Sequence, residues 1–139
     1  SGVAAQNING TWYGSLEYLN PSSGYWLVSN GAMQFQYNQP DNESSQRKSA
    51  DTRIDPPELF TFSQSTYQAF YWTYHADIDG DSLIVGEDWI GAFNGDICVG
   101  AREWRGEFTD VPAMGFDGYE STNGYMLSGD VANFKIYDI

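Results

Sequence analysis

Cations are what this chain has least of: six Lys and Arg stand against nineteen Asp and Glu, a formal net charge of −13 over 139 residues. Neutralising phosphates takes clustered Lys and Arg, and three of the six, Arg47, Lys48 and Arg53, fall in one polar segment. Nucleic acid is therefore excluded as a partner, and an anionic membrane surface is disfavoured. The lone cysteine, Cys98, permits no internal disulfide, and within an alternating apolar stretch it reads as a small buried hydrophobe. The lone histidine, His75, rules out a His-rich metal centre and leaves His75 with Cys98 as the one conceivable Cys-His dyad. His75 falls on the polar side of its predicted strand, where a cross-strand or solvent-facing role is the ordinary one, so no catalytic constellation is expected and the chain does not read as an enzyme. Close acidic pairs are abundant, but a chain this acidic offers them everywhere, so they do not select a glycosidase-like acid and nucleophile. No apolar run approaches the roughly 20 residues of a membrane-spanning helix, and no membrane insertion is expected. An initiating Met, a basic leader region and an affinity tag are missing as well, which reads as a mature chain.

Aromatics and alternation fill the space left by these absences. Phe, Trp and Tyr make up 17% of the residues, and helical periodicity is nowhere sustained. Asn94-Gly95 sits between the alternating runs 88–93 and 96–101, the strongest short-range hairpin pattern. A two-residue type I′ loop there pairs Phe93 with Asp96, Ala92 with Ile97, Gly91 with Cys98 and Ile90 with Val99, which puts Ile90, Ala92, Ile97 and Val99 on a core face. The other face, with Trp89, Phe93 and Cys98, calls for a second packed layer or a partner. Further short strands are expected at 12–19, 25–28, 33–37, 59–62, 83–85, 103–108 and 133–137. Residues 69–78 are a central-strand candidate, since Phe70, Trp72, Tyr74, Ala76 and Ile78 alternate with Tyr71, Thr73, His75 and Asp77. Many short strands separated by turn residues indicate an all-β, antiparallel sandwich or barrel. The length suits one β domain over 1–139, with an N-terminal sub-segment 1–37, a polar loop 38–57 and a main strand-rich part 58–139. The polar loop holds almost no apolar residue, and a loop of that length is expected to be functional or held by a neighbour.

Two binding chemistries are open to these residues. Asp77, Asp79, Asp81, Glu87 and Asp88 fall within twelve residues free of cations, and hard oxygen ligands at alternating positions suit calcium. The segment is not an EF-hand, because Ser82 takes the place of the sixth-position Gly, Asp88 closes where Glu is required, and no flanking helices are predicted. The alternative is a plain turn at Asp79-Gly80-Asp81 with exposed acids. A second acidic, Gly-rich stretch, 110–129, adds Asp117 and Glu120. For polysaccharide, Trp104, Phe116, Tyr119 and Tyr125 lie in loop-rich sequence where aromatic faces can stack on sugar rings, whereas Trp12, Trp26, Trp72 and Trp89 alternate with apolar neighbours as core residues do. Asn9 and Asn42 each open an Asn-X-Ser/Thr triplet that permits N-glycosylation.

Runs such as Asn9-Gly-Thr-Trp-Tyr-Gly-Ser-Leu16, Phe60-Thr-Phe-Ser-Gln-Ser-Thr-Tyr67, Asp88-Trp-Ile-Gly-Ala-Phe-Asn-Gly-Asp-Ile-Cys-Val-Gly-Ala-Arg102 and Phe134-Lys-Ile-Tyr-Asp138 resemble β-sandwich modules of large secreted or surface-attached proteins of environmental, marine or freshwater, bacteria. Those modules are similar to immunoglobulin-like or carbohydrate-binding-module-like jelly-roll sandwiches, and no catalytic residue comes with the resemblance. It implies an extracellular or cell-surface location. It also implies that the first forty residues are the tail of one module and the rest the next. The function expected from it is that of a self-assembling fibre or surface-layer subunit, in which residues 1–10 or 133–139 of one copy complete the sheet of the next. The alternative is a non-catalytic carbohydrate-binding module of a secreted protein.

Overall fold

The computed structural model describes residues 2–19, 23–32, 34 and 55–139. They divide into two compact units, residues up to 18 together with those from 56 onward, and the described residues from 19 to 55. In the second unit Ser29 makes a local turn, donating its hydroxyl to the Gly31 carbonyl (2.5 Å) and accepting the Gly31 N–H (3.2 Å). The strand expected at 25–28 is absent there. The strand expected at 33–37 and nearly all of the polar loop lie outside the described residues.

The first unit is all-β, built from small antiparallel sheets. Two hairpins carry the type I′ pattern of consecutive positive φ angles. The strands β1 (Gln6–Ile8) and β2 (Thr11–Tyr13) turn through Asn9 (φ 52°) and Gly10 (φ 91°). In the chain order used here, β3 is Gln68–Thr73, and β4 (Asp77–Ile78) and β5 (Asp81–Ser82) turn through Asp79 (φ 55°) and Gly80 (φ 95°). The strands β6 (Trp89–Asn94), β7 (Ile97–Glu103) and β9 (Asn133–Tyr137) form a three-stranded sheet with β6 at its centre, and β8 (Thr109–Met114) pairs with β3.

The central hairpin differs from its expected register. The loop is Gly95-Asp96, with Gly95 at φ 60° in the first central position, as a type II′ turn requires. Asn94 accordingly pairs with Ile97 and Phe93 with Cys98, and a bulge beyond Ala92 then brings Ala92 opposite Gly100 and Ile90 opposite Arg102. The bulge absorbs one residue, so Val99 still reaches the core beside Ile90 and Ala92, while Ile97, beside the turn, is 42% exposed. The opposite face is covered by the chain itself. Phe60, in a 3-10 turn at Glu58–Phe60 where a strand was expected, packs on Trp89, Phe93, Cys98 and Ala101, its ring edge-on to Phe93 at 5.5 Å.

The strand β8 has no counterpart in the expected set, because Pro112 and Asp110 argue against a strand by composition. Every one of its residues is buried. Pro112 stands opposite Phe70 in the ladder, and lacking an N–H it fits only a position where none is asked for, toward the edge that β3 does not occupy. That edge runs against β7 so closely that a Cβ on Gly100 would overlap the Pro112 carbonyl. The first core cluster therefore draws on both sheets: Ile90, Ala92 and Val99 from one, Val111, Ala113 and Met114 from the other, with Leu83, Trp104, Tyr125 and Met126 from the connections. The alternating run 69–78 is not a central strand. It breaks after Thr73, pairs among the described residues on one side only, and is half-buried at most.

Candidate functional site

Two structural knots and two hollows concentrate the polar chemistry of the first unit. The first knot is Asp110, fully buried on β8. Its Oδ2 accepts the Ser15 hydroxyl (2.6 Å), the Ala4 N–H (3.3 Å) and Arg102 Nη2 (3.4 Å). The Arg102 guanidinium also donates to the Asp110 carbonyl (3.0 Å) and the Gly2 carbonyl (2.6 Å), so one ion pair fastens the N-terminal segment to β7 and β8. In sequence Asp110 opens an acidic, Gly-rich stretch outside every expected strand, and Arg102 has no assigned role. The pattern that could have found them is a lone acid and a lone cation, each inside an apolar strand, since such charges survive burial only as partners.

The second knot is Asp117. It accepts the Thr66 N–H (3.0 Å), the Thr122 hydroxyl (2.7 Å) and the Tyr119 N–H (3.4 Å), joining 65–67 to the loop that follows β8. The backbone bond from Thr66, then the Thr122 hydroxyl, lower its pKa from 3.8 to about 2. A carboxylate depressed in the folded state stabilises fully above its unfolded pKa, and that contribution is lost as pH falls through the folded value. Acid titration is therefore expected to loosen this loop between about pH 4 and pH 2. In Asp117→Asn the stability change across that window should be smaller than in the parent, which chemical denaturation at each pH would read.

Beside this knot lies a groove of about 550 Å³, with walls formed by 66–71 on one side and 113–116 and 126–130 on the other. Tyr67 (66% exposed) and Phe116 (38%) present ring surface there, and the half-buried Tyr71 stands edge-on to Phe134 at 5.1 Å. The walls are tied by Gly115 N–H to the Tyr67 carbonyl (2.7 Å) and by the Ser65 hydroxyl on the Gly115 carbonyl (2.5 Å), and Phe116 N–H to the Met126 carbonyl (2.9 Å) holds the two segments of the second wall together.

The second hollow, about 260 Å³, is lined by Asp79, Asp81, Asp88 and Asp138 among others. Of the five proposed calcium ligands, Asp77 accepts the Gly80 N–H (3.1 Å) within the turn and stands 3.3 Å from His75 Nε2. Asp79, Asp81 and Glu87 are exposed. Asp88 is buried, its Oδ2 accepting the Ile84 N–H (2.6 Å) to close the 84–88 turn, while its Oδ1 has no partner. Asp138 joins the hollow from the C-terminus, which sequence reasoning did not anticipate. Among the described residues no three acidic, His or Cys side chains stand together closely enough to hold a metal ion.

The proposed aromatic platform separates into two groups. Trp104 and Tyr125 are each 6% exposed and belong to the core, Tyr125 also accepting the Ser63 N–H (2.7 Å), so neither offers a face to a sugar ring. Phe116 and Tyr119 are at the surface, and of these only Phe116 lines the groove. Trp12 and Trp26, expected in the core, are exposed, whereas Trp89 is buried and Trp72 half-buried. Isolated alternation does not say which side of a short hairpin meets water. Cys98 is buried, donates to the Gly100 carbonyl (3.5 Å), and has its thiol pKa raised by desolvation, whereas His75 is exposed. Asn9 is exposed at its turn, and Asn42 lies outside the described residues. No described helix is long and apolar enough to cross a membrane.

No family model, curated protein or solved structure matches this chain.

Proposed function

We propose that this protein is a structural subunit of an extracellular bacterial fibre or surface assembly, joined to its neighbours by β-strand addition. The observation that carries this reading is the outer edge of β9. It is the last strand of the three-stranded sheet, all five of its residues are exposed, and no described strand pairs with its far side. Soluble monomers usually guard such an edge with an outward lysine. Here the half-exposed Lys135 is drawn toward its own sheet, 4.2 Å from the centre of the Phe93 ring and 3.8 Å from Asp96. The sequence resemblance to modules of secreted and surface proteins and the net charge of −13 agree with an extracellular setting. In this reading the β3–β8 pair and the β7–β6–β9 sheet are the two layers of a small sandwich.

The geometry separates two modes of pairing. If β9 pairs with β9 of a second copy, the contact is two-fold and closes as a dimer. If residues 1–10 of the next copy leave β2, Arg102 and Asp110 of their own unit and add to β9, the contact is head-to-tail and continues as a filament. Negative-stain microscopy and light scattering of the intact chain, in calcium and in chelator, test the assembly and the part calcium plays in it. Filaments are expected, lost when residues 1–10 are removed and lost again in Ile136→Lys, which places a charge on the edge strand. A monodisperse monomer at every concentration and in both buffers would overturn the reading.

A further inference from the structure

The groove beside Asp117 has properties that a strand-pairing edge does not need. Among the described residues that line it there is no Lys, Arg or His and one carboxylate, Asp130, whose Oδ2 already accepts the Leu127 N–H at 2.8 Å. On a chain of net charge −13 that lining repels phosphate, sulfate and uronate groups. Its size, about 550 Å³, falls inside the roughly 300–1,000 Å³ of small-ligand sites. Exposed ring surface from Tyr67 and Phe116 is combined with short hydrogen-bonding groups on Thr66, Gln68 and Ser128. Flat apolar faces flanked by donors and acceptors complement a pyranose ring, which presents an apolar C–H face and a rim of hydroxyls. The backbone ties across the groove and the Asp117 knot fix the walls before anything binds, so little ordering entropy is left to lose on binding.

We propose that this groove binds a neutral saccharide, with Tyr67 and Phe116 as stacking faces and Gln68, Ser128 and Asp130 receiving ring hydroxyls. The sugar site is distinct from the aromatic set suggested by sequence, because it excludes Trp104, Tyr119 and Tyr125 and adds Tyr67. It is also separate from strand addition at β9 and does not depend on it.

Native electrophoresis of the full-length chain through gels containing soluble hydroxyethylcellulose, xylan, galactomannan or laminarin, with alginate as the anionic comparison, tests the site. The chain is run at concentrations where scattering detects only monomer, so failure here and failure of assembly are read separately. Retardation is expected in at least one neutral gel and not in alginate. Apparent affinity should fall about tenfold in Tyr67→Ala and in Phe116→Ala, as loss of one stacking anchor implies. It should be retained in Tyr67→Phe, which keeps the ring, and in Tyr119→Ala, which lies outside the groove. Free migration in all four neutral gels would overturn the proposal. So would retardation in alginate alone, unchanged retardation of Tyr67→Ala, or an equal loss in Tyr119→Ala.

Discussion

Replacing Arg102 with Met is expected to lower the free energy of unfolding by about 3–5 kcal/mol, the usual cost of leaving one member of a buried ion pair without its partner. The side chain of Arg102 is only 11% exposed and that of Asp110 not at all, so water cannot take over the lost contacts. Asp110 has no reserve, since its Oδ1 is already buried without a partner and its Oδ2 would keep only Ala4 and Ser15. The Gly2 carbonyl would lose the guanidinium as well, releasing the first residues from β7. Urea denaturation measures the loss as a fall in midpoint. The double variant Arg102→Met with Asp110→Leu should recover much of it, because removing both charges removes the desolvation penalty along with the attraction. An Arg102→Met midpoint equal to that of the parent would show that the pair contributes nothing.

Gly100→Ala should be nearly as severe, at about 3 kcal/mol or more, for a steric reason alone. The added methyl would stand inside the contact distance of the Pro112 carbonyl, which belongs to backbone and cannot rotate away. β7 and β8 would have to separate, opening the core between Val99 and Val111, both fully buried. Gly80→Ala provides the contrast. Gly80 sits at φ 95° with nothing near its missing Cβ, so the cost there is conformational only, about 1 kcal/mol. Thermal unfolding of the two variants should rank Gly100→Ala well below Gly80→Ala. The reverse order would mean that β7 and β8 lie farther apart than described.

Much of the central hairpin was legible in sequence because it depends on neighbours along the chain. Asn94-Gly95 located the turn to within one residue, and alternation assigned Ile90, Ala92 and Val99 to one face correctly. The register was not legible, because turn type and bulge were decided by the contacts of both faces at once. The strand β8 was missed for the opposite reason: its composition is poor for a strand, and burial between β3 and β7 overrides propensity. The groove was only partly visible. Phe116 was singled out, but Tyr67 lies about fifty residues upstream between the strands expected at 59–62 and 69–78, and nothing local indicates that a carboxylate on the far loop, Asp117, will draw the two together.

From the sequence alone came what depends on composition and on residues close in the chain: an all-β class, the turn at Asp79-Gly80, the place of the central hairpin turn to within one residue, and Cys98 as a buried residue. The tertiary structure alone decided the rest. It buried Trp104 and Tyr125 and left Trp12 exposed, paired Arg102 with Asp110 between two different sheets, and set Tyr67 and Phe116 along one groove. The reason is physical. Alternation says that a strand has two unlike faces, but which face finds a covering layer, and which buried charge finds its partner, is settled only when segments far apart in sequence compete for the same core.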